Sequence, residues 1–491
     1  MPDIRHIFVL MLENRSFDHM FGLSGIPDIR TATSADHNIY GNRPYHFGPH
    51  APNRMPWDPH HGFSDVMTQL AGEGAEDLPA TPYPPRTNSG FVASFAKGLR
   101  RPDPDDLATV MRAVDLPRES PALYTLATEY AVCDEWYASM PGATWPNRFF
   151  VHGASSAGLA RGPTTAQKVK WALDWGGFKY PNGSIFDRLR PGSYRLYQNQ
   201  DRSSHRSGRL PQVAALKGVR YDEVRPLREL VTELAAGRAA AYTFIEPAYG
   251  DVVSGSYRGG SSQHPLDDLA KGDRLIARVY RAIRNSPVWK HSLLIITYDE
   301  HGGFYDSCIP ARAAPPSNDD PDPDADDNPF GFDFSVYGVR VPTVLVSPWI
   351  GKGVVDHTLY DHASILATVE RRFDLDPLTD RDRLAADVLH LLGGSMRPDA
   401  ECPREVPQRP ARPALAEAEP DLASLAEPIE DGDNLLGFLF VAEKAQREVA
   451  PETLAFAPLP EPKTRGEAEL YLEQVVPRLE EARDAQQLSP D

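Results

Sequence analysis

Two short stretches of this chain place oxygen-bearing and imidazole side chains directly behind apolar runs. Glu13-Asn14-Arg15-Ser16-Phe17-Asp18-His19 follows Ile7-Phe8-Val9-Leu10-Met11-Leu12, and Thr297-Tyr298-Asp299-Glu300-His301-Gly302-Gly303 follows Leu294-Ile295-Ile296. Each run, with its β-branched and aromatic members, reads as a strand covered on both faces. The carboxyl ends of such strands are where open α/β sheets hold their ligands. Adjacent Asp299 and Glu300, followed by flexible glycines, can present two carboxylates while the backbone turns away. Together with Glu13 and Asn14 they form an oxygen set drawn from two strand ends, which suits a hard divalent cation. The same residues also read as turn formers and caps, with Asp18 an N-cap. The recurrence of the pattern behind two buried strands favours a site. A third stretch, Met140-Pro141-Gly142-Ala143-Thr144-Trp145-Pro146-Asn147-Arg148, carries a hydroxyl in a Gly/Pro-rich turn. Spacing does not make Thr144 a nucleophile, because no base is adjacent, and an ordinary turn before Phe149-Phe150-Val151 is the alternative.

The elements that must position these residues are legible in outline. Further strand-like runs are Tyr242-Thr243-Phe244-Ile245 and Thr343-Val344-Leu345-Val346. Apolar residues three to four apart in Leu275, Ile276, Val279, Tyr280 and Ile283, and again in Ile365, Leu366, Val369 and Phe373, predict helices between and after the strands. This alternation over residues 1–395 predicts an α/β/α sandwich in three layers, with a mainly parallel central sheet. The Asp/Pro-dense run from Asn318 to Asp333 lacks the glycine turn and terminal glutamate of an EF-hand loop and reads as a solvated surface loop. Past about residue 396 the composition turns to Pro, Ala and Glu. Residues 396–491 therefore read as an appendage that ends in a helix around Leu470, Leu472, Val475, Val476 and Leu479, with Pro477 marking a break.

Composition excludes several classes. The balance of 51 Lys and Arg against 69 Asp and Glu gives a formal net charge of -18, which argues against a nucleic-acid partner. An anionic substrate stays compatible with that balance, since a bound cation reverses the local field. Cys133, Cys308 and Cys402 are scattered and form no CxxC pair, so neither a disulfide framework nor a structural zinc site is expected. The chain has no apolar run of membrane-helix length and begins without a basic, apolar leader; if Met1 is the true start, a soluble, cytoplasmic protein is expected. Contact with a membrane would then be transient and confined to its surface.

Taken together, Glu13 to His19, Thr144 to Arg148, Tyr298-Asp299-Glu300-His301-Gly302-Gly303-Phe304-Tyr305-Asp306, and Gly338-Val339-Arg340-Val341-Pro342 with Ser347-Pro348-Trp349 closely resemble the phosphoesterase family of non-specific phospholipases C and acid phosphatases. The motifs follow that family's order over roughly residues 1–395. The resemblance implies an alkaline-phosphatase-like core that hydrolyses phosphoesters. It also implies a metal held by Glu13, Asn14, Asp299 and Glu300, with Thr144 as metal-bound nucleophile forming a phosphothreonine. The cation would be calcium, manganese, magnesium or zinc. By the same carry-over His61, or His60 if the register slips by one, and His264 complete the catalytic set; by themselves these read as loop histidines. Arg148, His301, Asp361 and His362 are further candidates, Arg148 either as a phosphate ligand or as half of a structural ion pair. A threonine at position 144 leans towards phospholipid substrates over small soluble phosphomonoesters. A non-catalytic binding protein on the same scaffold is the remaining alternative. The chain departs from the family at Ser307-Cys308, where many members have His-Val, and in lacking the export signal common among the bacterial phospholipases.

Overall fold

A computed structural model of the chain describes residues 2–200, 204–316, 327–409, 422–451 and 461–488. Its centre is an eight-stranded sheet with the order Val354–Asp356, Ala131–Cys133, Thr343–Val346, Ser292–Tyr298, His6–Leu12, Tyr242–Glu246, Tyr194–Gln198, Val224–Pro226. All neighbours run parallel except Thr343–Val346, which is antiparallel to the strand on either side. The mainly parallel α/β sheet expected from the alternation of runs is thus present. Ser292–Tyr298 is buried along its whole length and His6–Leu12 everywhere but at its first residue, as continuous apolar runs require.

The helix read from Leu275 to Ile283 spans Leu269–Arg284 and packs on Pro121–Glu129 and Leu227–Ala235. The one read from Ile365 spans Ala363–Phe373 and packs on Thr144–Gly153. A smaller antiparallel pair, His37–Tyr40 with Arg43–His46, lies outside the sheet. Of the acidic loop, residues 318–326 lie outside the described residues. Its remaining part turns back through Asn328, whose side chain bonds both N–H and C=O of Phe332 at 3.0 and 2.8 Å, and brings Phe332 against Phe63. Among the described residues no helix is long and apolar enough to cross a membrane.

The C-terminal segment corrects the expectation of an appendage. Helix Asn434–Val449 buries Leu435, Phe438, Leu439 and Val441 in the same core as the sheet, and Phe438 meets Trp145 edge-on with ring centroids 5.6 Å apart. The Pro/Ala/Glu composition around it obscures a short run of helix-spaced apolar residues that has no other surface to cover. Arg465–Leu488 then packs on this helix, Tyr471 Oη donating to Gln446 Oε1 at 2.8 Å. Pro477 lies inside that last helix without ending it. Gly437 is where the first of these helices touches the body most closely: a Cβ there would lie 2.1 Å from Trp145 Cζ2. Gly437→Ala is therefore expected to destabilise by ~1–3 kcal/mol through overpacking, more than the ~1 kcal/mol gained in helix propensity. A thermal melt reads the sign, and a raised midpoint would show that Trp145 yields freely.

Candidate active site

Sheet register builds the site. Leu12 pairs with Tyr298, so the residues following the two central strands leave the sheet at one level. Asn14 takes the left-handed conformation, φ 59°, and its N–H donates to Asp299 Oδ1 at 3.0 Å; the same oxygen accepts from Glu300 N–H at 2.7 Å. The partner turn comes so close that a Cβ on Gly302 would sit 2.2 Å from the Asn14 carbonyl oxygen, and Gly302 N–H donates to Glu300 Oε2 at 2.7 Å. The glycines behind Asp-Glu are thus a packing requirement as well as a turn signal.

Helix Thr144–Gly153 supplies the third component. Asn147 fastens the preceding turn, donating from Nδ2 to Met140 and Gly142 carbonyls at 3.2 and 3.1 Å and accepting Met140 N–H at 3.1 Å. Arg148 Nε donates to Asp299 Oδ2 at 2.9 Å and Nη2 to the Leu12 carbonyl at 2.9 Å, both from buried positions. Arg148 thus forms an ion pair that ties the helix to both strand ends, while its Nη1 is buried without a hydrogen-bond partner among the described residues. Thr144, four residues earlier, lies on the same helical face.

Several candidates brace this arrangement from behind. His362 Nε2 contacts the Asp299 carbonyl oxygen at 2.6 Å and its Nδ1 accepts from Trp136 Nε1 at 3.5 Å, which occupies both ring nitrogens. Asp361 Oδ2 accepts from Ser139 Oγ at 2.9 Å and lies 3.3 Å from Arg381 Nε. His301 Nε2 meets Gln69 Oε1 at 2.7 Å, with Nδ1 3.4 Å from Glu300 Oε2. Ser307, at the departure from the family pattern, donates from N–H and Oγ to Asp18 Oδ2, both at 2.7 Å, so it secures the turn after the Asp-Glu motif.

The remaining groups face inward without partners. Glu13 Oε1 and Oε2, Asn14 Oδ1, Glu300 Oε1, Thr144 Oγ1 and His264 Nε2 are buried and make no well-formed hydrogen bond. Buried oxygens left so are costly, each by ~1–3 kcal/mol, and their grouping is what a hard cation satisfies. Among the described residues no three His, Cys, Asp or Glu side chains form a metal cluster by themselves, so the fit rests on the mixed set with its amide and hydroxyl. Burial pushes the Glu13 carboxyl up to about 8, Arg148 opposing and Asp299 and Glu300 adding to it. Burial likewise raises Asp299 to about 6, against the pull of Arg148. Both shifts come first from burial, with the neighbouring carboxylates adding to them.

The two histidines differ. His61 Nε2 lies 3.1 Å from Asn14 Nδ2 and 3.7 Å from Glu300 Oε1, with Nδ1 3.3 Å from the Pro59 carbonyl. Burial opposes its protonation, but Glu300 and Asp58 outweigh burial and push it up to about 9. The contact with Asn14 Nδ2 is nevertheless a hydrogen bond only when Nε2 carries no proton. That state also turns Asn14 Oδ1 away from His61 as a free ligand. His60, by contrast, is exposed and lies against Gly98. His264 is fully buried and stacked on Tyr257 at 3.5 Å and 9°; burial drives it down to about 3, so it is neutral. Its Nδ1 accepts Leu266 N–H at 3.3 Å, which places the proton on the unpartnered Nε2.

Spacing alone singles out neither Asn147 nor Tyr257. Asn147 has a weak local signal, an amide inside a Gly/Pro turn, whereas Tyr257 is tied to its partners only through the fold.

The model of the Phosphoesterase family matches residues 4–376. Non-specific phospholipase C6 of Arabidopsis thaliana is 33% identical over 88% of this chain and 82% of its own, and non-specific phospholipase C1 of the same plant 33% identical over 82% and 74%. Non-hemolytic phospholipase C of Burkholderia pseudomallei is 26% identical over 76% of this chain and 55% of its own. Among solved structures, an alkaline phosphatase superfamily protein from Vibrio parahaemolyticus aligns with a TM-score of 0.33 at 12% identity, covering 56% of this chain and 64% of that one. The chain belongs to the Phosphoesterase family.

Proposed function

We propose that the protein is a divalent-metal-dependent phosphoric ester hydrolase of the phospholipase C type, cleaving the glycerol-side phosphodiester of a phospholipid. The observation that carries this reading is the set of unpartnered buried oxygens on Glu13, Asn14 and Glu300, together with a Thr144 hydroxyl that is likewise buried and unpartnered. The names of the relatives supply the substrate class. Glu13, Asn14, Asp299 and Glu300, with Thr144, would hold the cation, which when bound lowers the pKa of the hydroxyl and offsets phosphoryl charge.

The chain's own groups then divide the work. Thr144 Oγ1, its proton passed to solvent, attacks phosphorus, the bond to the diacylglycerol oxygen breaks, and a phosphothreonine diester to the headgroup forms. His264, neutral with its proton on Nε2, donates a hydrogen bond to a phosphoryl oxygen as charge builds there. His61, between Asn14 and Glu300, is an imidazole placed at the edge of the site where it can exchange protons. Protonated, it gives its proton to the leaving alkoxide in the first step; neutral, it takes one from the attacking water in the second, as the bond from phosphorus to Thr144 Oγ1 breaks and the headgroup phosphate leaves. Arg148 and His362 hold Asp299 in place.

The test is a substrate panel. Purified protein is expected to release more phosphocholine from lecithin vesicles than phosphate from p-nitrophenyl phosphate, to lose both on chelation, and to recover with one added divalent metal. A preference for p-nitrophenyl phosphate would instead identify a phosphomonoesterase acting on small soluble substrates, and indifference to chelation would overturn the metal.

A further inference from the structure

We propose that Tyr257 and Asn434 are positioning residues for His264, so that the C-terminal segment helps set the transition-state geometry of a site whose reacting groups all lie before residue 302. The inference rests on the reading of His264 as a phosphoryl hydrogen-bond donor. It is carried by a chain of contacts. Asn434 Nδ2 donates to Tyr257 Oη at 2.9 Å, and the Tyr257 ring lies flat on the His264 imidazole with centroids 3.5 Å apart. Leu266 N–H restrains the imidazole at Nδ1 alone, at 3.3 Å, which leaves rotation about that contact to be limited by the stacked ring.

Tyr257 itself cannot be held by its own backbone at low cost. It sits in the left-handed region, φ 53°, where a bulky non-glycine residue is unfavourable, and is kept there by bonds from elsewhere. Tyr257 N–H donates to the Asp251 carbonyl at 2.8 Å. Arg465 grips the same loop, Nη1 donating to the Val253 carbonyl at 2.8 Å while Nη2 pairs with Asp433, the N-cap of the helix that begins at Asn434. The loop carrying the ring is therefore clamped from both C-terminal helices, and Asn434 is the member of the clamp that reaches the phenol. A ring held parallel to an imidazole fixes the plane in which Nε2–H points, and small errors in that direction weaken a hydrogen bond made only in the transition state.

The test compares His264→Ala, Tyr257→Leu, Tyr257→Phe and Asn434→Ala in the full-length, metal-loaded protein, reading kcat, KM and inhibition by vanadate, an analogue of the five-coordinate phosphorus. Tyr257→Leu is expected to lower kcat by roughly 10–100-fold with KM little changed, and to raise the vanadate inhibition constant by the same factor. Tyr257→Phe keeps the stack and loses only the bond to Asn434, so it and Asn434→Ala should show equal, smaller losses that do not add when combined. In a His264→Ala background none of the three should have further effect. A merely structural role would lower the fraction of active protein and so kcat, with vanadate affinity untouched; that result overturns the inference. If His264→Ala weakens vanadate while the Tyr257 and Asn434 variants do not, the positioning role alone fails. If His264→Ala leaves both readouts unchanged, the assigned role of His264 fails first. Should Tyr257→Leu not fold, Tyr257→Phe and Asn434→Ala decide the matter in the same way.

Discussion

Thr144→Ala is expected to lower turnover by roughly 10⁴-fold or more, the scale seen when a covalent nucleophile is removed, while its melting temperature stays near that of the parent. The two expectations have a single origin. Thr144 Oγ1 is buried and bonds to nothing among the described residues, so its removal breaks no hydrogen bond there and leaves only a small gap. A hydroxyl kept in that condition is costly to the fold and is accounted for by chemistry. Thr144→Ser keeps the nucleophile and should retain measurable turnover. Acid quenching during turnover should trap headgroup phosphate covalently on the parent and the serine variant, at residue 144, and not on the alanine variant. Retention of more than a tenth of the activity by Thr144→Ala would remove the covalent mechanism. Absence of turnover in the parent itself would point to a binding protein on this scaffold.

The parts of the site that can be read from the chain are those built on single strands. Glu13, Asn14, Asp299 and Glu300 stand directly behind apolar runs, and the parallel register that pairs Leu12 with Tyr298 brings the two clusters together without help from anything distant. Helices such as Leu269–Arg284 are equally plain, because one face is apolar at helical spacing. Roles that depend on what lies across the fold are not. That Arg148 Nε meets Asp299, and that His362 is braced between Trp136 and the Asp299 carbonyl, depends on contacts no spacing announces. The stretch from Asn434 to Val449 illustrates the limit most clearly. Its Leu435, Phe438, Leu439 and Ala442 have helical spacing, yet the Pro/Ala/Glu residues before it dominate the composition, and nothing local reveals that Trp145 needs a cover. The contact of Asn434 with Tyr257 spans 177 positions, beyond any pattern in a single sequence.

Glu13→Gln should separate stability from function. The parent carboxyl, ordinarily near 4.5, is raised to about 8 by burial beside Asp299 and Glu300. Between these two values the metal-free folded protein holds a proton that the unfolded chain has released. Stability is therefore fully present below pH 4.5 and falls as pH rises towards 8, by at most ~1.4 kcal/mol per pH unit for this group. Asp299, raised to about 6, adds to the decline in the lower part of the same window. Glutamine resembles the protonated carboxyl and never ionises, so it removes the share due to Glu13. In chelator, Glu13→Gln should unfold at nearly the same urea concentration as the parent at pH 4.5, and at a clearly higher one at pH 8. A saturating divalent cation should reverse the order, because binding stabilises only the parent strongly and pulls its carboxyl back to the charged form. Activity should run opposite to metal-free stability, with the variant reduced by at least ~10²-fold, the scale for losing one preorganised electrostatic contact to the transition state. Parallel stability curves for the two proteins from pH 4.5 to 8 would show that Glu13 is not the uncompensated charge of the metal-free site, and would remove it from the ligand set.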